Sequence, residues 1–157
     1  MSTFALDLAK FAEKAKERAD EAVGAVVVGI AAELDKRSPV GDQTKWSDDF
    51  KAVGKELEWF DDDYVGGHFR ANWQLGISAL PTGEVPGVDP TGEATQSAII
   101  AAVPSEAAGL LFYIANNVPY ARRLEDGYSK QAPQGMVGLT VTMFKQIVEK
   151  VVTEAKP

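Results

Sequence analysis

A chain of 157 residues, 45% of them apolar, can bury one sizeable core, so a single domain over residues 1–157 is expected. Its 16 basic and 23 acidic residues leave a formal net charge of −7, which excludes phosphate neutralisation as the main source of affinity for a partner and argues against a nucleic-acid-binding domain. The lack of cysteine excludes disulfides and thiolate metal sites and fits assembly in a reducing cytoplasm.

The first residues, Met1 to Asp7, have no basic flank before an apolar stretch and do not read as a secretion signal. Phe4, Leu8, Phe11, Ala15, Ala22, Val26 and Ile30 recur at steps of three, four or seven, which predicts an amphipathic helix over about residues 3 to 36. At ~1.5 Å per residue it reaches about 50 Å, more than a compact domain of this size needs, so part of it is expected to project or to pack on a neighbouring subunit. Within it, the apolar run Ala22–Ala32 contains Gly24 and Gly29 and is far shorter than the roughly 20 residues that span a bilayer. No membrane contact is expected. Ser38-Pro39-Val40-Gly41-Asp42 stops the helix, because the residue before proline is pushed out of the helical region.

Residues 42–66 form an acidic and aromatic insertion. Acids at 42, 48, 49, 56, 58, 61, 62 and 63 face lysines at 45, 51 and 55, a local charge of 3 − 8 = −5. Trp46, Phe50, Val53, Leu57 and Phe60 are spaced four, three, four and three, which predicts a short helix with an apolar face, and Gly66-Gly67 closes the segment. For Trp46 and Trp59, an interface role and a small satellite core are both open.

From His68 to Leu80, Phe69, Ala71, Trp73, Leu75 and Ile77 alternate with polar residues, which predicts a half-buried strand with Trp73 in the core. After a proline-rich loop, Asp89-Pro90 supplies a cap and a first-turn proline for a helix over about 91 to 103. Leu110 to Ile114 is the second expected strand. Val137, Val141, Phe144, Val148 and Val151, spaced four, three, four and three, mark a C-terminal amphipathic helix. The expected class is α+β: a long N-terminal helix, a small antiparallel or mixed sheet, and a middle and a C-terminal helix packed on that sheet.

Little in the chain points to catalysis. His68 is the only histidine, so a metal site would need completion by Asp61, Asp62 and Asp63, which lack the alternation and turn glycine of a calcium loop. A solvated acidic loop is the plainer reading. No nucleophile elbow, phosphate-binding glycine loop or dinucleotide fingerprint occurs. No catalytic, cofactor-binding or metal residue is assigned, no cofactor is expected, and the chain is read as a non-enzyme.

The most specific signal runs from Asn116 to Met136. Asparagines leave the strand through turn conformations, Pro119 ends ladder pairing, and Gly127 can close a helical turn around Ala121–Asp126. The loop 127–135 then exposes Tyr128, Lys130 and Gln131, an aromatic anchor with hydrogen-bond donors. By itself this could be an ordinary strand-to-helix connection, and Arg122-Arg123 an ordinary solvated pair. However, Asn116-Asn117-Val118-Pro119-Tyr120-Ala121, followed by Leu124-Glu125-Asp126-Gly127-Tyr128-Ser129 and Ala132-Pro133-Gln134-Gly135-Met136, resembles the neck or tail-completion proteins of tailed bacteriophages. Phe69-Arg70-Ala71-Asn72-Trp73 and Ser38-Pro39-Val40 resemble further elements of that family. The similarity is dense from about Gly67 to Val151. It departs in the roughly 25 residues inserted between the Ser-Pro-Val element and the arginine-containing segment.

The resemblance implies a structural virion protein assembled in the bacterial host cytoplasm. It would form a homo-oligomeric ring, hexameric in the family, that joins tail to head and lets DNA pass without specific binding. Its implied neighbours are head-completion or portal-side proteins on one face and tail terminator or tail tube proteins on the other. Tail terminator and head-completion proteins share its size and acidity, so the layer of the junction stays open. Tyr120, Arg122, Arg123, Tyr128, Lys130, Gln131 and Met136, with the first helix, are the expected contacts. Asp48, Asp49, Asp61, Asp62 and Asp63 are candidates to face the channel, where carboxylates repel phosphate. Two other readings are carried: a small metal-dependent hydrolase built on His68, and a cytoplasmic assembly chaperone absent from the particle.

Overall fold

The computed structural model describes residues 3–58 and 60–155. Helix α1 runs from Thr3 to Arg37. A short 3-10 turn at Gln43–Lys45 leads to α2, Asp48–Glu56. A helical turn α3, His68–Ala71, precedes strand β1, Trp73–Ile77. Helix α4, Glu93–Ala102, is followed by β2, Phe112–Asn116, and then by α5, Ala121–Glu125. The chain closes with α6, Val137–Thr142, and α7, Phe144–Glu154. Among the described residues the sheet is a single antiparallel pair in which Trp73 faces Asn116 and Ile77 faces Phe112, so the fold is α+β. Among the described residues no helix is long and apolar enough to cross a membrane.

Helix α1 first touches the body where Lys16 pairs with Glu106 at 3.3 Å, and its first buried residue is Asp20, whose carboxylate accepts a 2.7 Å bond from the Ala108 amide. The seven-residue stripe expected from the sequence does not bury as one. Phe4 is 75% and Phe11 72% exposed, and the line that enters the core is Gly24, Val27, Ala31 and Leu34, one position away from Val26 and Ile30. Small residues decide that rotation. A Cβ at Gly24 would lie 3.1 Å from Val103 and one at Gly29 2.9 Å from Ile147, so these glycines let the α4 end and α7 close on the helix. That contact offsets the ~1 kcal/mol a mid-helix glycine costs.

The predicted strand over 68–80 is shorter than its alternation suggested. Its first part winds into α3 instead, because Asn72, fully buried, turns its amide onto the His68 carbonyl (2.8 Å) and onto both backbone groups of Val85 (3.1 and 2.7 Å). Those bonds clamp the proline-rich loop and take the side chain away from a regular ladder. The second strand is displaced two residues along the chain, since the Leu110 amide is taken up in a turn with Ala107 and Leu111 receives the Ser78 amide beyond the paired register. Asp89 serves the open end of α4, accepting from Gly92 and Thr95 at 2.9 and 2.8 Å, but the N-cap position expected for it belongs to Gly92, and Pro90 stays outside the helix. The C-terminal helix is interrupted at Met143, whose sulfur meets Arg37 at 2.7 Å.

Ala31, Leu34, Phe69, Trp73, Ile99, Val118, Ala132 and Met136 form the core. Trp73 is there as expected. Met136 is a correction: it is 1% exposed and fills the interior, so it is not a contact surface. Its amide is pinned from outside by Glu125, which draws the side chain inward where the sequence suggested only a helix lead-in.

The insertion builds a satellite core. Ser47 caps α2 through the Phe50 amide at 3.2 Å. The Trp46 ring lies 5.3 Å from Phe50, 4.6 Å from Phe60 and 5.1 Å from Tyr64. Of the two alternatives for Trp46, the satellite core is the one formed; Trp59 lies outside the described residues.

Candidate functional site

The short strings singled out in the sequence meet in space. Arg70, at the end of α3, makes three contacts on two segments: Nη1 donates to the Pro90 carbonyl (2.7 Å), Nη2 to the Ser38 carbonyl (3.1 Å), and Nε lies 3.3 Å from the Asp35 carboxylate. The Trp73 indole donates to the Ser38 hydroxyl at 2.7 Å, and that hydroxyl donates on to the Leu34 carbonyl. Asn116 holds the Phe69 carbonyl at 2.7 Å. Glu125 accepts from the Met136, Val137 and Gly138 amides at 2.8, 2.9 and 2.9 Å, closing the open end of α6. Burial alone would push that carboxyl up, but the three amides outweigh it and hold its pKa below the usual carboxylate value.

Gln131 belongs to the same set. Its side-chain amide donates to the Val40 carbonyl at 2.8 Å and accepts the Val40 amide at 3.3 Å, so the Ser-Pro-Val element and the 127–135 loop are tied to each other. Gln131 stays exposed, as expected of a surface residue, but its polar head is already engaged within its own chain. Gly127, at φ +84°, makes the turn from α5 into this loop.

What the loop offers outward is narrower than the sequence suggested. Tyr128 is 73% exposed, with the Arg123 guanidinium 4.3 Å from its ring centroid. Arg122 pairs with Asp126 at 3.2 Å, Lys130 is exposed, and Tyr120 is half turned to solvent with its ring 6.3 Å from that of Phe69. Beside this surface lies a cleft of about 240 Å³ between insertion and scaffold, walled by Pro39, Trp46, Tyr64, His68, Tyr120 and Gln131. Burial raises the pKa of both tyrosines.

Asp48, Asp49, Asp61, Asp62 and Asp63 are all exposed. Two of them have cationic neighbours: Asp48 lies 3.6 Å from Lys51, and Asp62 contacts Lys55. The field they project is therefore weaker than the formal charge.

His68 is engaged on both sides of its ring, Nδ1 with the Gly87 carbonyl at 2.8 Å and Nε2 with Glu84 at 3.1 Å. Among the described residues no group of three His, Asp or Glu side chains is placed to hold a metal ion. The Gly87 carbonyl first, and Glu84 after it, raise the His68 pKa above 6.5 against its partial burial. A raised value means the imidazolium stabilises the fold fully below 6.5, with that contribution lost as pH rises through the folded value. Because His68 is the sole histidine, its proton resonance titrates alone. Its midpoint is expected above 6.5 and to fall in Glu84→Gln; a midpoint at or below 6.5 would contradict the geometry.

Sequence reasoning missed Asp35, Arg70 and Glu125 as structural centres. No family model, curated protein or solved structure matches the chain.

Proposed function

We propose that this chain is a structural, non-enzymatic subunit of the head-to-tail junction of a tailed bacteriophage, acting as a ring of copies, six as the resemblance implies, through which DNA passes. The observation that carries the reading is the convergence of the resembling strings. Ser38-Pro39-Val40, Phe69 to Trp73, Asn116 and the 124–136 segment are far apart in sequence, yet side-chain hydrogen bonds link each of them to another of the set. Strings that matched by accident would have no reason to complete one another's backbone bonds.

On this reading the strings maintain a scaffold, and the contacts belong to what the scaffold leaves outside: Tyr128 and Lys130 on the 127–135 loop with Tyr120, Arg122 and Arg123 on and before α5, and the exposed start of α1. Head-to-tail repetition of one heterologous contact closes a ring, and the two ring faces dock different neighbours. The exposed carboxylates Asp61, Asp62 and Asp63 of the insertion suit a channel that must not bind DNA. A hydrolase is disfavoured by the engagement of both His68 nitrogens.

Electron microscopy of purified particles with this chain located in the density tests the proposal. Density at the neck is the expected result. Density elsewhere, or absence from particles while the chain is abundant during assembly, would defeat it, and the latter would favour the chaperone reading.

A further inference from the structure

Residues 3–19 of α1 form an arm whose apolar side chains stand in the open: Phe4 is 75%, Leu8 57% and Phe11 72% exposed, and their steps of four and three place them on one face. No glycine or proline occurs in α1 before Gly24, so the arm cannot fold back onto its own body without breaking the helix. Its four basic residues (Lys10, Lys14, Lys16, Arg18) exceed its three acids (Asp7, Glu13, Glu17), a formal balance of 4 − 3 = +1 in a chain of net −7; Lys16 is paired with Asp20 and Glu106, which leaves Lys10, Lys14 and Arg18 for a neighbour.

Helix α2 presents the counterpart. Phe50, Val53 and Leu57 are 44%, 45% and 53% exposed and run at steps of three and four, with Asp48 and Asp49 at the N-terminal end of the helix. Read in reverse, their spacing coincides with that of the arm. The segment around them, 42–63, has the local charge of −5.

We propose that the arm of one copy lies antiparallel on α2 of the next, setting Phe4 against Leu57, Leu8 against Val53 and Phe11 against Phe50, and bringing Lys14 to Asp48 and Asp49. Charge selects the direction as well as the spacing. In a parallel arrangement the acidic end of α2 would meet the start of the arm, which holds Asp7 and no basic residue before Lys10. Arm and receptor are different patches, so the contact is heterologous and passes from copy to copy. The insertion that sets this chain apart from the resembling family then acts as the socket for its own arm. The inference rests on the ring reading only for closure into a ring; the contact itself is a property of the purified protein.

The cysteine-free chain allows a direct test. Leu8→Cys protein mixed with Val53→Cys protein, under mild oxidation, is expected to form mixed disulfides roughly tenfold above the pair Phe4→Cys with Phe50→Cys, since sulfurs join only within bridging distance. Phe11→Cys with Phe50→Cys gives an independent pair. Lys14→Glu in the arm should reduce the yield, and Asp49→Lys in the receptor should restore it. Predominance of the Phe4–Phe50 pair, of arm-to-arm Leu8 disulfides, or no mixed product above background overturns the proposal. Particles with the chain at the neck but no such cross-link would retain the junction role and remove this contact; cross-linking in a chain absent from the neck would do the reverse.

Discussion

Replacing Arg70 by alanine is expected to destabilise the fold by about 3–5 kcal/mol, the range for breaking a buried ion pair and leaving one partner behind. The Arg70 side chain is 15% and that of Asp35 11% exposed, and among the described residues no other cation is paired with Asp35. The same change strips the Ser38 and Pro90 carbonyls of their donors, so α1, α3 and the start of α4 lose their shared tie. Asp35 already has a raised pKa, through burial first and the nearby Asp89 carboxylate second, opposed by Arg70. An acid whose folded pKa lies above its unfolded value of 3.8 penalises the fold at neutral pH, and that penalty fades as pH falls through the folded value. The damage in Arg70→Ala should therefore shrink as pH is lowered, and Asp35→Asn introduced into Arg70→Ala should recover part of it. Urea unfolding of the four proteins at neutral and mildly acidic pH measures this. A loss below about 1 kcal/mol for Arg70→Ala, or no recovery on adding Asp35→Asn, would show that the pair does not hold these elements together.

Glu125→Ala should cost about 3 kcal/mol, more than an ordinary helix cap, because one carboxylate serves three amides at the open end of α6. For a chain of this size that corresponds to a fall in Tm of about 6–12 °C. Glu125→Gln keeps one carbonyl in place and should lose roughly half as much. The sign with pH is opposite to that of Asp35. Because the folded pKa of Glu125 is depressed, its contribution is present above the unfolded value of 4.5 and is lost as pH falls through the folded one. Calorimetry gives the Tm, and hydrogen exchange at Met136, Val137 and Gly138 reports the site itself. Unchanged protection of those three amides in Glu125→Ala would mean that the cap contributes nothing.

Both predictions concern residues that local pattern could not reveal. Asp89 was legible as a cap because a capping side chain usually serves amides two or three residues ahead, and Gly92 lies three ahead of it. Glu125 serves amides 11 to 13 residues on, beyond a loop, where no such spacing rule applies. Arg70 is similar: its role depends on carbonyls 20 and 32 residues away. Gln131 looked like a free surface amide until Val40, 91 residues earlier, proved to be its partner. The Asn72 side chain likewise converted the start of an alternating segment into a helical turn, which strand periodicity has no means of anticipating.

The sequence by itself determined the α+β class, the existence of α1, α2, α4 and the C-terminal helical segment, the stop at Ser38-Pro39, the core position of Trp73 and the turn at Gly127, because hydrophobic periods, capping residues and proline or glycine act over a few neighbouring positions. Tertiary structure alone decided which face of α1 is buried, that Met136 turns inward, that the exposed Gln131 is tied to Val40 while Tyr128 and Arg123 remain outside, and that the apolar side chains of α1 before Asp20 stay exposed. Each of these depends on close approach between segments distant in the chain, where a missing Cβ at Gly29 or an amide in need of an acceptor selects among arrangements that the local pattern leaves equal.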